Sequence, residues 1–129
     1  AQSLLKQFKG EWEYDTRWKT LYGHPKKAGW IHAIHEAQQT IQEKGDLKCP
    51  VLVLSSDQSF PETYEWDDAY FSSDIVLDVE DIQKYGQTLG DYVTRDTIPN
   101  GIHDLILSRE EARNHTYSTI FDWLKRYSF

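Results

Sequence analysis

The stretch "CPVLVLSSD", residues 49–57, decides the fold. Residues 51–54 form an unbroken apolar run, the pattern of a strand covered on both faces within a parallel sheet. A second strand is read in "DYVTRDTI", residues 91–98, and its greater polarity places it nearer a sheet edge. Helical patterns surround the two. "GWIHAIHEAQQTIQEKG", residues 29–45, repeats Trp30, Ile34, Ala37 and Ile41 at three- and four-residue spacing, with Gly45 as a left-handed stop. Residues 79–89 read as a helix opened by a capping box of Asp78 with Asp81 and ended by Gly90. A capping box of Ser108 with Glu111 opens the last helix, whose expected buried stripe is Tyr117, Ile120, Phe121 and Leu124. The order helix, strand, helix, strand, helix leaves crossovers long enough for parallel pairing. The fold class is α/β.

Residues 1–28 are aromatic-rich and irregular, with Phe8, Trp12, Tyr14, Trp18 and Tyr22 among charges. "EWEYD", residues 11–15, alternates aromatic and acidic side chains, which predicts a short half-buried strand. Residues 60–72 read as a long surface loop or a short helix opened by Pro61. Two parallel strands make a poor sheet, because both edges stay open. The remaining strands are expected from an upstream segment or from a second copy of the chain. The sequence opens at Ala1 and contains no methionine, which suits a processed form or a fragment.

Composition narrows the function classes. A formal charge of -7 with scattered Lys and Arg argues against nucleic acid as a partner. No run is apolar and long enough to span a membrane, and residues 1–28 lack the profile of a signal peptide. The single cysteine, Cys49, precludes an internal disulfide framework and fits a reducing, cytoplasmic location.

Chemistry in open parallel sheets collects beyond the carboxyl ends of the strands. The first strand ends at Ser55-Ser56-Asp57, and the connection after it reaches Asp74. The second ends near Ile98, and an Asn-Gly turn then delivers His103. An aspartate accepting the imidazole Nδ1 proton would fix the tautomer and leave Nε2 as a base.

"SDIVLDVEDIQKYGQTLGDYVTRDTIPNGIHDLILS", residues 73–108, resembles the last third of a serine α/β-hydrolase, in the lysophospholipase, monoglyceride lipase and serine aminopeptidase-like branch. In that family a "PVLVL" strand precedes the acid loop, and a helix, a strand and "G-x-H-D" follow. The resemblance implies that Asp74 is the catalytic acid and His103 the catalytic histidine, 29 residues apart. "GEWEYDTRWKTLYGHPKKAGWIHAI", residues 10–34, looks like the tail of a lid and the helix after it in a bacterial subgroup. The likeness thus runs from about Gly10 to Leu124. It implies a lid or cap tail over 1–28 and the acid-and-histidine subdomain over 29–129. It also implies a small acyl-ester substrate, with no cofactor and no metal.

Two departures stand out. More residues than usual separate the first strand from Asp74, which leaves Asp57 as a rival acid. No serine has Gly two positions before and two after it, so the G-x-S-x-G elbow is absent. The resemblance therefore implies the C-terminal portion of a hydrolase, inactive alone. The alternative is a non-catalytic interaction module that kept the scaffold. A carbohydrate-binding surface on Trp12, Tyr14 and Trp18 rests on aromatic content only.

Other groups have simpler readings. His32, His35 and Glu36 lack both the H-E-x-x-H spacing and a third ligand, which argues against a metal site. Cys49 opens its strand, about 17 Å from the carboxyl end at about 3.3 Å per residue, and reads as a buried structural thiol. Asp78, Glu80 and Asp81 suit a helix start facing the dipole. Glu62, Glu65, Asp67 and Asp68 read as a solvated face, and Asp104 as a partner within its own loop.

Overall fold

Strands β1 (Val51–Ser56) and β2 (Val93–Ile98) pair in parallel as a two-stranded sheet, in register from Val51 opposite Val93 to Ser56 opposite Ile98. The structure is a computed structural model and describes residues 3–21, 23, 25–61 and 63–127. Helix α1 (Ala28–Lys44) precedes β1, α2 (Val79–Gly86) makes the crossover, and α3 (Glu110–Arg126) follows β2. Short 3-10 turns cover Asp68–Phe71 and Leu105–Leu107. This is a small α/β arrangement in the expected order.

Helix α2 lies on β1. Asp78 caps it, its carboxylate accepting the Glu80 N–H at 2.9 Å. The helix ends at Gly86 rather than at 89, because the Thr88 and Leu89 N–H groups turn back to the Tyr85 and Gly86 carbonyls. Gly90, expected as the stop, serves a different contact. It pairs with Leu47 in an isolated bridge so close that a Cβ would sit 2.2 Å from the Leu47 oxygen. Gly45 is likewise not a left-handed stop: its φ is -51°, and what its missing side chain permits is close approach to the Thr88 carbonyl.

Helix α3 buries Ala112 and Thr116 and meets β2 through Trp123, whose Nε1 donates to Thr94 Oγ1 at 3.2 Å. The expected stripe is shifted. Ile120 and Leu124 are half-buried, whereas Tyr117 and Phe121 are exposed and stack on one another at 6.4 Å. The helix starts after Arg109, and Ser108 does not cap it.

Coverage of the sheet is incomplete. Residues 51–54 are half-buried rather than covered on both faces, since α2 and α3 leave part of the apolar surface open. Helix α1 buries none of its residues, and Trp30, Ile31, Ile34 and Ile41 are all exposed. The periodicity there is real, but its partner is not supplied by the described residues.

The N-terminal segment shows the expected burial alternation without a strand. Trp12 and Tyr14 are half-buried between exposed Glu11, Glu13 and Asp15. Trp12 makes only an isolated parallel bridge to Leu5, with Lys6 N–H on the Trp12 carbonyl at 2.8 Å. Its indole is fixed elsewhere, Nε1 donating to the Leu107 carbonyl at 2.8 Å under the Arg113 guanidinium. Tyr22 and Glu62 lie outside the described residues.

The buried apolar residues are Leu5, Phe71, Val79, Ile98, Ile102 and Ala112, of which Ile98 ends β2. Ile98, fully buried, contributes about 1.5–3 kcal/mol by the usual transfer scale. Core residues Phe71 and Ile102 stand three and one positions before Asp74 and His103.

Candidate active site

Parallel pairing brings Ser56 beside Ile98, so both strands open onto one rim. After β1 the chain leaves at Gln58 and returns at Asp74, where Ser59 and Asp74 form a parallel bridge. Asp74 N–H donates to the Gln58 carbonyl and Phe60 N–H to the Asp74 carbonyl, both at 2.9 Å. The Ser59 hydroxyl fastens the far side, donating to the Leu77 carbonyl at 3.0 Å and accepting the Val79 N–H at 2.9 Å. Residues 61–73 are therefore an excursion closed at its neck.

The Asp74 side chain is 2% exposed. A buried carboxylate is costly unless its oxygens are hydrogen-bonded. Here Oδ1 accepts the Val76 and Leu77 N–H groups at 2.8 and 2.9 Å, the local turn that Asp side chains favour. Oδ2 lies 2.9 Å from His103 Nδ1. The histidine side chain keeps 43% of its surface exposed.

His103 is placed by a turn. Gly101 N–H donates to the Ile98 carbonyl at 3.0 Å, and Asn100 has φ 58°. Pro at the second position and a left-handed Asn at the third make this a type II turn. Two side chains reach its backbone. Asp57 Oδ1 accepts the Asn100 N–H at 3.0 Å, and Ser108 Oγ, 1% exposed, accepts the Ile102 N–H at 3.0 Å.

An ionised carboxylate can only accept, so the Asp74 contact favours the tautomer with the proton on Nδ1. Nε2 is then a lone pair, and it has no hydrogen-bond partner among the described residues. Such a nitrogen can take a proton from a hydroxyl and return it to a leaving group. Of the two acids weighed from the sequence, the structure puts Asp74 on the ring and Asp57 on the backbone.

The remaining candidates fall elsewhere. Cys49 is exposed rather than buried, and it stands before the opposite end of β1. Its position at the amino edge of an incompletely covered sheet accounts for the exposure. Asp104 faces Lys19 at 3.7 Å rather than its own loop. His32 pairs with Glu36 at 3.5 Å, and among the described residues no three His, Cys, Asp or Glu side chains form a group that could hold a metal ion. Asp67 caps the turn at 68–71 by accepting the Ala69 N–H, and Asp68 accepts Trp66 Nε1–H, so these acids serve local structure. Among the described residues no helix is long and apolar enough to cross a membrane.

Sequence reasoning missed the roles of Ser59 and Ser108. Ser108 carried a signal for a cap and serves instead as an acceptor for the histidine loop. Nothing local marks Ser59. An apolar groove of about 400 Å³ lies between α1 and α2, lined by Ile41, Val53, Leu77, Ile82, Tyr85 and Leu89, and neither Asp74 nor His103 borders it. Comparison of the chain with protein-family models, with curated proteins and with solved structures finds no match in any of the three.

Proposed function

We propose that His103 and Asp74 are the base and acid of a serine hydrolase of the α/β-hydrolase type, acting on carboxylic esters in the manner of a lysophospholipase or esterase. The nucleophilic serine would come from outside these 129 residues, since no serine here stands in G-x-S-x-G. One observation carries the reading: a buried carboxylate with every oxygen engaged lies 2.9 Å from the Nδ1 of a half-exposed imidazole, at the carboxyl rim of a parallel sheet. Two open sheet edges and the exposed apolar side chains of α1 and α3 also suit a chain that packs against further strands and helices.

The steps follow from the tautomer. The serine hydroxyl attacks the acyl carbon as His103 Nε2 takes its proton. Asp74 holds the Nδ1–H and stabilises the imidazolium, without itself taking the proton. The tetrahedral intermediate collapses, the alcohol leaves with the proton from Nε2, and water repeats the sequence on the acyl-serine. Oxyanion donors would lie on the same missing segment as the serine.

The test is to read the coding frame upstream of the Ala1 codon and to express the whole frame. A G-x-S-x-G in that frame, with ester turnover that His103→Ala lowers by about 10⁴-fold, would support the reading. A frame without that motif, or full turnover by the His103→Ala enzyme, overturns it. The non-catalytic interaction module would then stand in its place.

A further inference from the structure

We propose that Asp57 is a positioning residue for His103, holding the Pro99–Asn100 peptide in the orientation that presents the imidazole to Asp74. The inference rests on the reading of His103 as a base.

Type I and type II turns differ mainly by a flip of the peptide between the second and third residues. In the turn 98–101 that peptide carries the Asn100 N–H, the one group on which Asp57 Oδ1 closes at 3.0 Å. Pro99 excludes the primed turns by fixing its own φ. The choice left is type I or type II, and the Asp57 oxygen selects type II. Asn100 accepts the resulting φ of 58° at small cost, because Asn tolerates the left-handed region.

The selection is transmitted because the chain after the turn is tightly held. A Cβ on Gly101 would sit 2.6 Å from Leu105 Cδ2 and 3.0 Å from the Ile98 oxygen. Ile102 N–H is fixed on the buried Ser108 hydroxyl. Every N–H from Asn100 to Ile102 thus has an acceptor, and His103 is the next residue. Asp57 also ends the β1 side of the rim, so its bond ties together the two strand ends whose loops carry the acid and the histidine. The role needs an oxygen acceptor and no charge. Asn therefore replaces Asp57 and Ala does not.

The experiment is ¹⁵N NMR of the His103 ring in the 129-residue chain, comparing wild type, Asp57→Ala and Asp57→Asn. The wild type is expected to hold its neutral-ring proton on Nδ1. In Asp57→Ala the ratio of the Nδ1–H to the Nε2–H form falls roughly fivefold, the worth of one net hydrogen bond. Asp57→Asn stays near wild type. An unchanged ratio in Asp57→Ala overturns the proposal, and so does an Asn variant as impaired as the Ala one. If Asp57→Ala loses its folded spectrum, the Asn variant decides. A wild-type ring carrying its proton on Nε2 removes both the proposal and the reading beneath it. With Nδ1–H in the wild type and no effect of Asp57→Ala, the proposal alone falls.

Discussion

The Trp12 indole N–H donates to the Leu107 carbonyl at 2.8 Å across 95 residues of chain. It secures the 3-10 turn 105–107 that follows His103 to the N-terminal segment, with Arg113 over the ring at 4.9 Å. Trp12→Phe keeps the apolar surface and the cation–π contact but leaves the carbonyl unpaired. The expected loss is about 1 kcal/mol, read as a lower urea midpoint with an unchanged slope.

Asp74→Asn separates orientation from packing. The amide oxygen can still accept the Val76 and Leu77 N–H groups that Oδ1 now holds, so the fold should persist. The amide nitrogen would then face His103 Nδ1 as a donor and drive the ring to the Nε2–H tautomer. In the proposed hydrolase this would lower kcat by about 10⁴-fold with little change in KM. A variant keeping more than a tenth of wild-type turnover would show that Asp74 is not the orienting acid.

Gly86→Ala places a Cβ 2.9 Å from Val53 Cγ1, at the contact between α2 and β1. Val53 is β-branched and cannot swing aside freely. The overpacking, about 1–3 kcal/mol, outweighs the gain in helix propensity, at most about 1 kcal/mol. Val53→Ala in the same chain should recover part of the loss, a coupling measurable in a double-mutant cycle.

A modest acid sensitivity is expected at the end of α3. The Lys125 ammonium, hydrogen-bonded to Asp122 at 2.9 Å, holds that carboxyl below its ordinary value, and Arg126 adds to the effect. Because the folded pKa is the lower one, the stabilisation is present above the unfolded value of 3.8 and fades as pH falls through the folded one. Asp122→Asn should flatten that part of the stability curve. Unchanged acid unfolding profiles for the two chains would refute the assignment.

Local pattern foretold elements well and partners poorly. The run 51–54 announced β1, and Asp78 announced the start of α2, because strand burial and helix caps are written in adjacent residues. Asp74 and His103 were singled out through a resemblance, and the 2.9 Å contact between their side chains is written in no local pattern. Ser108 satisfies a capping pattern, yet its hydroxyl goes to Ile102 N–H, since an unpaired buried donor costs more than a lost cap. Trp12 alternates correctly but has no neighbouring strand to join. Trp30, Ile34 and Ile41 repeat as a buried face would and stay exposed, because periodicity states what a helix can cover and not whether a cover is present.

The closed neck at Ser59 and Asp74 makes the length of residues 61–73 nearly irrelevant to the acid. Chain inserted there lengthens a loop whose ends are already pinned, and doubling a flexible loop costs only about 0.6 kcal/mol. Its exposed tip, residues 63–65, can be enlarged or exchanged while Asp74 keeps its place on the ladder and Phe71 stays in the core. Variation at this point would leave the hydrogen bond between Asp74 and His103 untouched.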